Sequence, residues 1–130
     1  MYISTNSHFV IMLVTRTLES IDLESDASLF AMTLYDPGWH QGVIGILASR
    51  IRERVHRPTL VFADAEEGML KGSGRSIAGL HLRDVLDQVA TQHPGLLTKF
   101  GGHAMAAGLS LARDDLNRFK QALNDAVAEA

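Results

Sequence analysis

Two apolar, β-prone runs, residues 28–35 and 59–63, flank a single helix-length stripe, and that order restricts the fold more than any other feature of the chain. The first run closes on Asp36-Pro37-Gly38, where proline presets φ and glycine permits the reversal. From Gly42 onward Val43, Leu47, Ile51 and Val55 recur every fourth position with Ile44 and Ala48 beside them, which is the apolar face of an amphipathic helix ended by Pro58. Thr59-Leu60-Val61-Phe62-Ala63 then reads as a buried strand. Strand, helix and strand in so short a span imply a right-handed parallel crossover, and hence an α/β fold.

The rest of the chain extends this sheet. Ala65-Glu66-Glu67-Gly68 is a polar turn, so Met69 to Ser76 returns antiparallel and the sheet becomes mixed. Leu82, Val85, Leu86, Val89 and Ala90 mark a second helix that stops before His93-Pro94-Gly95. Ala107 to Leu111 is a further strand, and Asp114-Asp115 opens a last helix with Leu116, Phe119, Leu123 and Val127 facing inward. The expected architecture is a mixed β-sheet with flanking helices. Ile3 to Thr17, by contrast, is rich in Thr and β-branched residues and shows no clean helical stripe.

A chain of 130 residues with 46% hydrophobic and 21% charged residues is one domain, large enough to bury about two thirds of its unfolded surface. It has no cysteine, which excludes disulfides, thiolate metal sites and thiol nucleophiles. Its longest apolar run, Phe9 to Val14, is too short to span a bilayer and has no basic flank, so the expectation is a cytoplasmic protein without a membrane segment. A net charge of −3 argues against a free-standing nucleic-acid binder. The charge is unevenly spread, however: residues 1–37 carry Arg16 alone against five acids, while residues 38–60 carry Arg50, Arg52, Arg54 and Arg57 against Glu53.

Chemistry concentrates in three segments. In Phe100-Gly101-Gly102-His103-Ala104-Met105-Ala106-Ala107-Gly108, small residues crowd around one imidazole where a core would want bulk. Consecutive glycines can bare their amides to an anion beside a titratable ring, or can simply form a tight turn into a strand. Lys71-Gly72-Ser73-Gly74-Arg75-Ser76 offers a guanidinium fork and two hydroxyls suited to phosphate, or else an edge-strand bulge with a solvated arginine. In Trp39-His40-Gln41-Gly42-Val43-Ile44-Gly45-Ile46-Leu47-Ala48, His40 and Gln41 stand at a helix entrance that favours anions. Trp39 either stacks on a base or plugs the core. Arg50, Arg54 and Arg57, at i, i+4 and i+7, either track phosphates along one helix face or are solvated.

Other motifs fail. The Gly72 to Ile77 segment lacks the third glycine of a dinucleotide fingerprint and the Gly-Lys-Ser/Thr end of a P-loop. Gly74-Arg75-Ser76-Ile77-Ala78 is close to a nucleophile elbow with one glycine replaced, but the following helix begins too late for that motif. The histidines His8, His40, His56, His81, His93 and His103 show no ligand spacing, so no metal site is expected within this chain.

The three segments, in this order and form, resemble the DHH-associated domain of the DHH phosphoesterases, in its single-strand-specific exonuclease branch, with the match running from about Leu29 to Val127. The resemblance divides the chain into a junction at residues 1–27 and the associated domain at 28–130. It implies binding of single-stranded DNA in concert with a DHH catalytic domain on the same polypeptide, where manganese or magnesium ions activate water and nucleotides leave from a 5′ end. No Asp-His-His triplet occurs in this sequence, so that catalytic domain is absent from it. By the same resemblance Ser73, Arg75, Ser76, Gly101, Gly102, His40 and Gln41 bind substrate. His103 steadies a phosphate oxygen or the leaving group, with a capping role as the alternative. Two other functions stay open: a phosphodiesterase for short oligonucleotides or cyclic dinucleotides, and a binding module with no enzyme attached. Repair and recombination of DNA are the setting that the exonuclease branch implies.

Overall fold

A computed structural model describes residues 7–20 and 29–130. Their order is α1 (Ser7–Ser20), β1 (Met32–Tyr35), α2 (Ile44–Val55), β2 (Thr59–Asp64), β3 (Met69–Arg75), α3 (Leu82–Gln92), β4 (Lys99–Gly102), β5 (Ala106–Ala112) and α4 (Leu116–Glu129), the last entered through a 3-10 turn at Arg113–Asp115. The five strands form one sheet in the order β1-β2-β3-β5-β4. β1 and β2 pair in parallel across the α2 crossover, and the other neighbours pair antiparallel. The mixed α/β sheet with flanking helices is thus the observed fold.

Alternation along the strands sends apolar side chains to two faces. On one face Leu60, Phe62, Leu70, Leu109 and Leu111 meet α3 and α4, with Phe62 and Phe119 in edge-to-face contact at 5.6 Å between centroids. On the other, Val61 and Ala63 meet Ile44, Leu47, Ala48 and Ile51 of α2. β2 is buried from both sides, which accounts for its unbroken apolar run. α2 covers only the β1–β3 side of its face; nothing among the described residues covers β5 and β4 there.

Three details depart from the sequence reading. Ser7–Ser20 is a helix, although no stripe was expected over residues 3–17: Val14 and Leu18, one turn apart, are buried with Val43, Leu47 and Ile51, so tertiary packing overrides weak propensity. The rest of the 1–27 junction, together with Ser28 at the start of the expected first strand, lies outside the described residues. β1 begins at Met32 rather than in the vicinity of Ser28. Finally, α2 stops at Val55, because His56 takes the left-handed conformation at φ 55° and Pro58 bars helical backbone just before it. Arg57 therefore leaves the helix and does not share a face with Arg50 and Arg54.

Candidate functional site

The uncovered part of the sheet is floored by small side chains. On this face Arg75 stands opposite Ala106, Ser73 opposite Gly108, and Lys71 opposite Ser110, while Gly101 continues the second row and Lys99 the third. An open cavity of about 480 Å³ lies between this floor and the start of α2, lined by Gln41, Gly45, Lys71, Ser73, Arg75 and His103 among others.

Each polar group has an identifiable support. The Arg75 Nη1 donates to the Ser73 Oγ at 3.1 Å and to the Gly74 carbonyl at 2.7 Å, which fixes the guanidinium plane. Its Nη2 lies against α2 at Gly45, where a Cβ would stand 3.0 Å away. β3 is the central strand with unbroken register on both sides, so Arg75 does not sit on an edge-strand bulge. The Gln41 Nε2 donates to the Asp64 carbonyl at 3.0 Å. Asp64 is in turn held by the Tyr35 hydroxyl at 2.6 Å, and this hydrogen bond to the carboxylate pushes the Tyr35 phenol above its ordinary range. Val43 at the N-cap of α2 offers no side-chain acceptor, so no side chain caps the first amides of that helix.

Gly101-Gly102 ends β4, and His103 opens the turn back into β5. The His103 N–H donates to the Ala106 carbonyl at 2.9 Å, leaving the imidazole exposed at the rim of the cavity. A histidine whose side chain does cap a helix is His81, its Nδ1 accepting from the Asp84 N–H at the start of α3. Gly102 has φ 140°, and a Cβ there would lie 2.4 Å from the Ala106 carbonyl oxygen. The glycine is thus required by its own hairpin, whether or not a ligand approaches it.

The structure brings together Ser73, Arg75, Gln41, Gly102 and His103, with Gly101 bordering the floor opposite Gly108. It separates the others. Ser76 is 0% exposed, and its hydroxyl donates to the Leu80 carbonyl at 2.6 Å, so it cannot meet a ligand as expected. The same placement removes any reading of Ser76 as a nucleophile. Its amide donates to the Met105 carbonyl, and the Leu82 amide to that of Ala104, so this loop anchors the His103 turn. His40 is exposed outside the cavity, its Nδ1 accepting from the Gly42 N–H at 2.9 Å. Arg50 and Arg54 lie on the α1 side of α2, Arg50 beside Glu53 at 3.5 Å. Arg57 reaches the Met32 sulfur. Trp39 is half-buried against the α2 core.

Two residues had no role assigned from sequence. Gly45 interrupts a helix at a cost of roughly 0.5–1 kcal/mol relative to alanine, and that cost is the signal of a close approach. Lys71 is visible by alternation alone, since it shares a face with Ser73 and Arg75.

Residues 26–129 match the DHHA1 domain family. The chain is 59% identical over 111 residues to the single-stranded-DNA-specific exonuclease RecJ of Dickeya dadantii, an alignment covering 85% of this chain and 19% of that protein. It is 54% identical over 111 residues to the RecJ of Escherichia coli strain K12, with the same coverage of 85% and 19%. The crystal structure of RecJ in complex with Mg2+ from Thermus thermophilus superposes with a TM-score of 0.78 at 32% identity, over 95% of this chain and 18% of that one. This chain belongs to the DHHA1 domain family, and it spans about a fifth of the length of these curated relatives. Among the described residues no three His, Asp or Glu side chains cluster as a metal ion would need. The described residues contain no helix long and apolar enough to cross a membrane.

Proposed function

We propose that this chain is the substrate-binding domain of a RecJ-type exonuclease and grips the phosphates of single-stranded DNA while a metal-bearing DHH domain of the same polypeptide, using manganese or magnesium, cuts near a 5′ end. One observation carries the reading: Arg75, Ser73, the exposed His103 and the start of α2 converge on one cavity whose floor is reduced to glycine, alanine and serine. Planar guanidinium, hydroxyl and unshared helix amides all favour an anion, and a floor without bulk lets a backbone approach the sheet.

The division of labour follows from the supports. Arg75 is fixed through Nη1 and presents Nη2 beside α2, so it orients a phosphate without first having to be ordered. His103 stands on a tight turn pinned to the β3–α3 loop, in position to donate to a non-bridging oxygen as charge builds during cleavage by the partner domain.

Binding of a fluorescein-labelled oligothymidylate to this chain tests the reading by anisotropy. Arg75→Ala should weaken binding by about 2 kcal/mol, close to thirtyfold, with no change in melting temperature. In the complete enzyme His103→Ala should lower kcat and spare the fold, because its ring is exposed. Wild-type affinity in Arg75→Ala together with normal turnover in His103→Ala would show that the cavity is not the substrate site.

A further inference from the structure

A second hollow lies beside the cavity around Arg75. Gln41 also lines a second open cavity of about 480 Å³, whose other walls include Met69, Thr98, Lys99, Ser110 and one acid, Glu66. The two hollows share Gln41 as a wall and lie side by side along the uncovered face of β3, β5 and β4. Across its far part runs a straight row, Lys71 paired with Ser110 and Ser110 paired with Lys99.

The row has an unusual charge arrangement. Two lysines flank one serine on one face, with their backbones about 10 Å apart across two strand spacings. Among the described residues neither is in an ion pair, and both are exposed. An anion lying between two such exposed ammonium groups can be reached by both, since lysine side chains are long and flexible. Ser110 supplies a hydroxyl at that midpoint, and Gly108 and Gly101 leave the floor bare between this row and Arg75. Four steps along the strand lead from Lys71 to Arg75, about 13 Å, a distance that one phosphate group cannot bridge.

We infer that Lys71, Ser110 and Lys99 form a second phosphate subsite, which holds the sugar-phosphate backbone of the same single strand one or more nucleotides away from the Arg75 pocket. The inference rests on the phosphate-binding reading of that pocket. It adds a consequence the pocket alone does not have: affinity depends on strand length, and the lysines act only on strands long enough to reach them.

The test titrates this chain with labelled oligothymidylates of two and of eight nucleotides, across a salt series, for wild type, Arg75→Ala, Lys71→Ala/Lys99→Ala and Lys71→Arg/Lys99→Arg. The double alanine variant should lose about tenfold in affinity for the eight-mer and have its salt slope flattened by about 1.4, for two lost single-strand phosphate contacts. Its binding of the two-mer should match wild type, and the double arginine variant should restore the eight-mer. Arg75→Ala should weaken both lengths. An equal loss on both lengths in the double alanine variant, or no loss on either, overturns the second subsite while Arg75→Ala still supports the pocket. Wild-type protein that binds neither oligonucleotide fails the pocket reading and overturns the subsite with it.

Discussion

The two faces of the sheet use small residues for opposite ends. Toward α3 and α4, Gly72 and Gly74 sit where a Cβ would lie 2.4 Å from the Phe62 ring and 2.5 Å from Leu60, so these glycines make room for the large side chains of the core. On the opposite face of β5 and β4, Gly101 would meet nothing within 4 Å, and Gly108 only the Gly72 carbonyl at 3.8 Å. There the missing side chains leave space that no described residue of this chain fills. A glycine-rich strand is therefore ambiguous until its neighbours are known: on one face the glycines make room for core side chains, and on the other they leave open space.

If that contrast is right, substitutions on the closed face change stability and those on the open face change binding. The largest effect should come from Phe119→Ala. Phe119 is fully buried against Phe62 and the remainder of the α3–α4 side, and its loss leaves a cavity costing about 3–5 kcal/mol. Chemical denaturation should show that loss, while the folded fraction binds oligothymidylate as wild type does. A change of affinity in the folded fraction would mean that the two faces are coupled through the sheet.

Gly102 sharpens the comparison, because it lies in the site motif yet behaves like a closed-face residue. A methyl group there would strike the backbone of Ala106 and Ala107 and would have to adopt φ 140°, so Gly102→Ala should destabilise by about 2–3 kcal/mol. Gly108→Ala, by contrast, should change stability by no more than about 0.5 kcal/mol, since its Cβ meets only an ordinary contact, but should weaken oligonucleotide binding by raising the floor. Melting curves beside anisotropy titrations separate the two. Equal melting temperatures for both variants would remove the distinction drawn between the hairpin and the floor.

What could be read in advance follows the same division. The crossover helix was legible because Val43, Leu47, Ile51 and Val55 repeat with helical period, and β2 because its run is apolar throughout. α1 was not, since its stability rests on Val14 and Leu18 meeting α2, a contact without local signature. In the candidate site, Ser73 and Arg75 were legible through the motif they share, and both line the cavity. Ser76 was misplaced because motif membership outweighed alternation: one residue beyond Arg75, past the end of β3, it turns into the loop and is buried. Arg57 was misplaced because an i+7 spacing presumes a helix that His56 ends. The pairing of Lys71 with Lys99 through Ser110 needs the β3–β5–β4 register, which no local pattern contains.

Gly45 gives the smallest and most discriminating effect, because alanine there should move stability and binding in opposite directions. It lies in the first turn of α2, where alanine in place of glycine should stabilise the helix by about 0.5–1 kcal/mol. The added Cβ would come 3.0 Å from the Arg75 Nη2 and 3.4 Å from the Ser73 Oγ, both ends of side chains that can yield by a few tenths of an ångström. The fold therefore absorbs the methyl group cheaply, and the displacement falls on the guanidinium proposed to orient phosphate. Gly45→Ala should melt at or above the wild-type temperature and bind oligothymidylate a few times more weakly, about 0.5–1 kcal/mol. Unchanged affinity in the more stable variant would show that the orientation of Arg75 against α2 does not matter to the ligand, and Gly45 would then belong with Gly72 and Gly74 as a residue of packing alone.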